Sequence, residues 1–200
     1  VQYGRRRKDF QFDYTQPWLF DKKLAFSTGL YYRDLLYLSD KYDQTIAGGY
    51  MSLRKPLGEY TSLSFKSSLE KYEIDVDSDS SDTLKREEGD YNRALFSVNY
   101  VLDTRDSQYL TRRGHRLSVG TDFSVGDVET YGVQFSGSKY FLLPFDTILS
   151  VSGRYRSVDG SGDIPIFERE FLGGASSLRG YEYREASSAS LRDEHCLLYT

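Results

Sequence analysis

The 200-residue chain has one cysteine, one tryptophan, one methionine, two histidines and four prolines. A lone Cys196 excludes an internal disulfide framework and any cysteine-based metal site. His115 and His195 have no second ligand at metal-binding spacing and read as ordinary polar side chains. No apolar run approaches the roughly 18 residues of a membrane-crossing helix. Charge is nearly balanced, with 26 Lys and Arg against 30 Asp and Glu, for a net −4. That balance, dispersed along the chain, gives no footing for nucleic acid as a partner. The basic run Arg5 to Lys8 reads as a solvated strand end. Glu168 and Glu170 share a polar loop in which nothing orients them for acid-base work, and no Gly-x-Ser-x-Gly elbow occurs, so neither a catalytic site nor a cofactor is expected. The opening VQYGRRRKDF has neither an initiating Met nor the apolar stretch of a signal peptide, which reads as an internal segment of a longer protein.

What the chain does have is 18 Tyr, 12 Phe and 17 Gly, arranged with period two. Tyrosine suits surfaces that are apolar along the ring and wet at the hydroxyl. Phe10, Phe12 and Tyr14 alternate with Asp9, Gln11 and Asp13; Leu24, Phe26, Leu30 and Tyr32 face away from Lys23, Ala25, Ser27, Gly29 and Arg33. The same alternation predicts strands near 43–55, 59–73, 91–102, 115–125, 129–141 and 146–157. Their clearest faces are Ala94/Phe96/Val98/Tyr100/Leu102, Leu117/Val119/Thr121/Phe123/Val125, Tyr131/Val133/Phe135 and Leu149/Val151/Tyr155. The opposite faces carry too many Ser, Asp, Asn, Gln, Lys and Arg for the dry interior of a sandwich. A lipid-facing side and a water-filled lumen satisfy both, and strands of about ten residues suffice to cross hydrocarbon when tilted.

Connections differ in length. QPWLFDK, with Pro17 where no ladder donor is needed, KPLGEY and FLLPFD are tight. Asp34–Tyr42, Ile74–Asp90 and the segment after Ser157 are longer and polar, while Gly126–Glu129 and DTRDSQYLTRRG run against that trend. Such asymmetry marks the short periplasmic turns and long surface loops of outer-membrane barrels. The Asp- and Ser-rich VDSDSSDTLKREEGD reads as a surface excursion, since its carboxylates lack the spacing and closing Glu of an EF-hand loop.

Three segments carry a family resemblance. Phe171-Leu172-Gly173-Gly174 precedes Leu178-Arg179-Gly180-Tyr181; Leu102-Asp103-Thr104-Arg105-Asp106 runs on to Arg113-Gly114; and Tyr14-Thr15-Gln16-Pro17-Trp18 closes a strand. In these the chain resembles the bacterial surface antigen superfamily of outer-membrane barrels, most of all its assembly-factor branch. The resemblance implies an all-β, antiparallel meander of about eight to nine strands, part of a barrel of about sixteen. It numbers the readable strands four to eleven and residues 158–190 the sixth surface loop, leaving 191–200 unassigned. An open curved sheet is the expected shape, within a single partial barrel domain spanning 1–200.

The resemblance also places Gly173, Gly174, Leu178, Arg179, Gly180 and Tyr181 in a loop folded back into the lumen. There the planar fork of Arg179 suits a carboxylate on the wall, borne in this family by strands after the loop. Asp103, Arg105, Asp106 and Gly114 would fix a periplasmic turn through side-chain to backbone bonds and local ion pairing. The implied function is folding and insertion of barrel proteins into the outer membrane, with lipid, unfolded outer-membrane proteins and accessory assembly lipoproteins as partners. Two other functions suit such a barrel: a two-partner secretion pore, and the membrane anchor of a patatin-like lipase.

Overall fold

The computed structural model describes residues 2–4, 7–35, 42–78, 82–162, 164–169, 180 and 195–199. The strands are β1 (Gln2–Gly4), β2 (Arg7–Gln16), β3 (Ala25–Leu35), β4 (Tyr42–Pro56) and β5 (Thr61–Val76), followed by β6 (Gly89–Asp103), β7 (Gly114–Gly126), β8 (Thr130–Leu142), β9 (Ile148–Gly160) and β10 (His195–Tyr199). Among the described residues they form one sheet in strict sequence order, β1 to β10, with β1 and β10 left as separate edges. Every neighbouring pair is antiparallel. Among the described residues helix is confined to a three-residue 3-10 turn at Leu19–Asp21 and one turn, α1 (Asp82–Lys85).

The strands expected from alternation are β2 to β9, longer at most ends by one to three residues. Two edge strands add to them. β1 folds back on β2, pairing Gly4 with Arg7, and β10 falls within the stretch to which the sequence assigned nothing, pairing His195 with Ser157.

The sheet has two unlike faces. Register places Phe12 opposite Leu30, Leu53 opposite Phe65, Phe96 opposite Phe123 and Phe135 opposite Tyr155 on one face. Its residues stay open; Phe12, Leu30 and Leu69 keep 63%, 64% and 68% of their surface. In water such a continuous apolar band would be an association hazard. As the lipid-facing side of a barrel it is what the alternation requires.

The other face is polar and tightly tied. Tyr50 on β4 donates to Asp13 on β2 at 2.6 Å, reaching across β3 where Gly29 stands. Beside it, Tyr31 on β3 reaches across β4 to Glu70 on β5 at 2.5 Å, and here the crossing point is Gly48. A Cβ at Gly48 would lie 3.0 Å from the Tyr31 hydroxyl and 2.7 Å from the Leu69 carbonyl. Glycine inside a strand weakens it, and its place here is explained by the neighbouring main-chain carbonyl together with the ring that passes over it.

Connections sort by edge of the sheet. The turns after β2, β4, β6 and β8 lie at one rim, and those after β3, β5, β7 and β9 at the other. Near this second rim a small core of Tyr42, Ile74 and Ile166 forms, flanked by Val76, Tyr91 and Phe167. Ile166 and Phe167 come from beyond β9, so the chain after that strand turns back onto the polar face.

Candidate functional site

The site begins with a cross-strand pair. Glu70 of β5 and Arg93 of β6 are direct register partners on the polar face. Arg93 Nε and Nη2 both donate to Glu70 Oε2, at 2.9 and 2.8 Å, and Nη2 also donates to the Tyr72 hydroxyl at 2.8 Å. Glu70 further accepts from Ser68 at 3.1 Å and from Tyr72 at 2.9 Å, besides the bond from Tyr31. Both charged side chains are buried. A buried carboxylate tolerates this only with its lone pairs filled, and five donor groups from four residues fill them.

The segment Ile164–Arg169 closes over this pair. The third arm of the guanidinium, Nη1, donates to Glu168 Oε1, and Arg156 of β9 stands 3.7 Å from Glu168 Oε2. The Phe167 ring stacks on Tyr72 at 4.2 Å and 14° and meets Tyr91 edge-on at 5.5 Å. The Arg93 guanidinium lies over Tyr72 at 4.8 Å and over Phe167 at 5.5 Å. One residue on, the segment is held in the opposite sense: Arg169 Nη2 donates to Glu87 Oε1 at 2.5 Å, and the Ile166 amide donates to Glu87 Oε2 at 2.7 Å. Arg169 Nε also bonds back to the Ile164 carbonyl at 2.8 Å, rounding the turn. Neighbouring residues of opposite charge thus each find their complement, one on the wall and one on the β5–β6 connection.

Glu168, read from the sequence as part of a polar loop, is drawn inside it. Its carboxylate is buried and tightly oriented, toward a cation rather than toward any reacting group. Glu170 lies outside the described residues.

At the opposite rim the β6–β7 turn gathers Asp103, Arg105, Asp106 and Gly114. Asp103 takes both Arg105 Nε and Nη2 at 2.8 Å, a bidentate pair, and Arg116 of β7 approaches to 4.0 Å. Asp106 Oδ1 accepts three main-chain amides, from Ser107 at 2.9 Å, Arg112 at 3.0 Å and Arg113 at 3.3 Å. The Arg112 amide foremost, then those of Arg113 and Ser107, hold its carboxyl below the usual carboxylate range. Gly114 opens β7 at φ +107°. Thr104 and His115 bracket it, through a 2.9 Å main-chain bond and a 3.0 Å contact between Thr104 Oγ1 and His115 Nδ1. A hollow of about 610 Å³ adjoins this turn, with Trp18, Lys23, Arg54, Tyr60 and Arg105 among its walls.

Of the loop motif, Gly180 is described: it is exposed, at φ +100°, with open space where a Cβ would stand. Gly173, Gly174, Leu178, Arg179 and Tyr181 lie outside the described residues. The residues that seat the loop, Glu70, Arg93, Glu168, Arg169 and Glu87, were missed as a group. Two signals pointed to them: Ile164-Pro165-Ile166-Phe167, an apolar run in an otherwise polar loop, and the Glu70–Arg93 pairing implied by the β5–β6 register.

An ordered antiparallel meander with an apolar outer face, a polar inner face and a returning segment seated on the latter defines part of a transmembrane β-barrel. The profile of the Omp85 superfamily domain matches residues 1–195, and the chain belongs to that superfamily. It is 28% identical over 194 residues to the outer membrane protein assembly factor BamA of Nitratidesulfovibrio vulgaris, covering 92% of this chain and 24% of that protein. Over 115 residues it is 30% identical to the human sorting and assembly machinery component 50 homolog, covering 55% of this chain and 24% of the relative. The chain thus spans about a quarter of the curated relatives it matches. In fold it resembles the crystal structure of BamA from Haemophilus ducreyi lacking POTRA domains 1–3, with a TM-score of 0.75 at 16% identity, over 88% of this chain and 38% of that one. The chain is an outer-membrane β-barrel segment, and its polar face is the barrel's lumen.

Proposed function

We propose that this chain is the wall and the root of the in-folded loop of an assembly factor that folds β-barrel proteins and inserts them into the bacterial outer membrane. The observation that carries the reading is the seating of Ile164–Arg169 on the lumen wall, in a chain 28% identical along nearly its whole length to an assembly factor. On this reading β2 to β9 are the fourth to eleventh strands, and the segment after β9 is the sixth surface loop. Arg179, Gly180 and Tyr181 would then sit at the loop tip, with the acidic partner of Arg179 on a later strand. The turn holding Asp103, Arg105, Asp106 and Gly114 would face the periplasm.

The chemistry required is not enzymatic. A barrel of this class would offer an edge strand at its seam, where incoming hairpins pair main chain to main chain, and local thinning of the bilayer would lower the insertion barrier. In this family the seam joins the first and last strands, neither of which this reading places here. Partners would be lipid, unfolded outer-membrane proteins and accessory lipoproteins.

The test is reconstitution of the full-length protein in proteoliposomes, with a urea-unfolded outer-membrane protein as substrate and its heat-modifiable folded form read on a gel. Assembly faster than in empty liposomes is the expected result. Export of a passenger without insertion of barrels would replace this reading with a secretion pore, and lipid hydrolysis would replace it with a lipase anchor.

A further inference from the structure

We propose that the dipeptide Glu168-Arg169 is a two-ended ionic anchor that positions the in-folded loop, with Arg93 on the wall and Glu87 on the β5–β6 connection as its receptors. This rests on the assembly reading for its functional consequence, but its structural content stands alone.

Four observations carry it. First, the receptor on the wall is made by wall residues alone: Glu70, held by Ser68, Tyr31 and Tyr72, fixes two arms of the Arg93 fork and leaves Nη1 for Glu168. A preset fork is the arrangement in which a guanidinium loses least freedom on pairing. Second, the charge order is directional. Glu168 is drawn to the wall and Arg169 to the connection, so the segment fits one way round and a shift by one residue would set like charges together. Third, apolar packing accompanies each end, with Phe167 on Tyr72 and Ile166 beside Tyr42 and Ile74. Fourth, the Glu87 carboxylate spans both the Arg169 guanidinium and the Ile166 amide, tying a surface connection to the loop root. The anchor lies about ten residues before Arg179, so it belongs to the loop root and uses none of the tip motif's residues.

Glu168 and Arg169 are positioning residues, and their test reads loop seating apart from assembly. The reporter is Ile164→Cys in a Cys196→Ser background of the full-length protein, because Ile164 opens the seated segment and is buried there at 6% exposure. A membrane-impermeant maleimide is added to intact cells, and barrel folding is checked by heat-modifiability. Glu168→Lys sets a second cation against Arg93, and labelling is expected to accelerate on the order of 10- to 100-fold. Glu168→Gln, which keeps the shape and drops the charge, is expected to fall between. Arg169→Glu should likewise speed labelling, and adding Glu87→Lys should slow it part of the way back, since the ion pair returns but lysine cannot accept from the Ile166 amide.

Labelling unchanged in Glu168→Lys, or no slowing in the swapped pair, overturns the anchor. Labelling that rises while substrate assembly by the same folded variants stays at the parent rate overturns the positioning role. A parent protein that assembles no substrate refutes the functional reading alone, since the labelling ratios are obtained without substrate.

Discussion

Replacing Gly114 with alanine tests whether the β6–β7 turn is dictated by its backbone. Gly114 opens β7 at φ +107°, a region L side chains rarely adopt, and its Cβ would fall 2.4 Å from the Thr104 carbonyl oxygen and 2.8 Å from Arg105 Cα. These are main-chain atoms and cannot swing aside. Retreat of Thr104 would pull on its 2.9 Å main-chain bond with His115 and on the 3.1 Å bond from the His115 amide to Thr104 Oγ1. Conformational strain costs about 1–3 kcal/mol and the forced backbone shift a similar amount, so a loss of about 2–6 kcal/mol is expected. Equilibrium urea unfolding of the full-length barrel in detergent measures it. Gly162→Ala is the control, because that Cβ meets open space and the backbone is ordinary; it should stay within about 0.5 kcal/mol of the parent. Equal stability of the two variants would refute the argument.

Two further outcomes are expected. Leu69→Arg, in the middle of β5 on the outer face and 68% exposed, should cost about 2–4 kcal/mol in a bilayer, whereas Phe20→Arg at a turn tip should cost about 0–1 kcal/mol; similar losses at both would contradict the assignment of the apolar face to lipid. For Asp106 the folded carboxyl titrates below its unfolded value, so its support of the turn is complete above about pH 4 and is lost as pH falls through the lowered folded value. An NMR titration of the Arg112 amide should show that window, and Asp106→Asn should abolish it.

The eight long strands were legible because apolar surroundings on one side and water on the other impose period two, setting Phe10, Phe12 and Tyr14 on the face opposite Asp9, Gln11 and Asp13. Strand ends were less so: β5 runs to Val76 and β6 starts at Gly89, since pairing continues beyond the point where alternation fades into charged residues. The loop seat was hidden for another reason. Arg93 and Glu168 are 75 positions apart, and only the path of the chain after β9 brings them together. A sequence pattern records which face a residue occupies, but not which distant segment will come to lie on that face. The bonds within the turn from Asp103 to Gly114 are of the other kind, joining partners within about a dozen positions, where side-chain to main-chain bonding is a local property.

The tyrosines that pass over Gly48 and Gly29 have a mechanical consequence. Because Tyr31 ties β3 to β5 and Tyr50 ties β4 to β2, a force that peels one strand from its neighbour is shared with the strand beyond it. From β2 to β5 the wall bears load as a stiff panel, and bending is diverted to strand pairs without such cross-ties. The same geometry binds three positions into one heritable unit. A side chain acquired at Gly48 is harmful while Tyr31 lies across it, and Tyr31 loses its acceptor if Glu70 changes first, so drift at any one of the three is constrained by the other two.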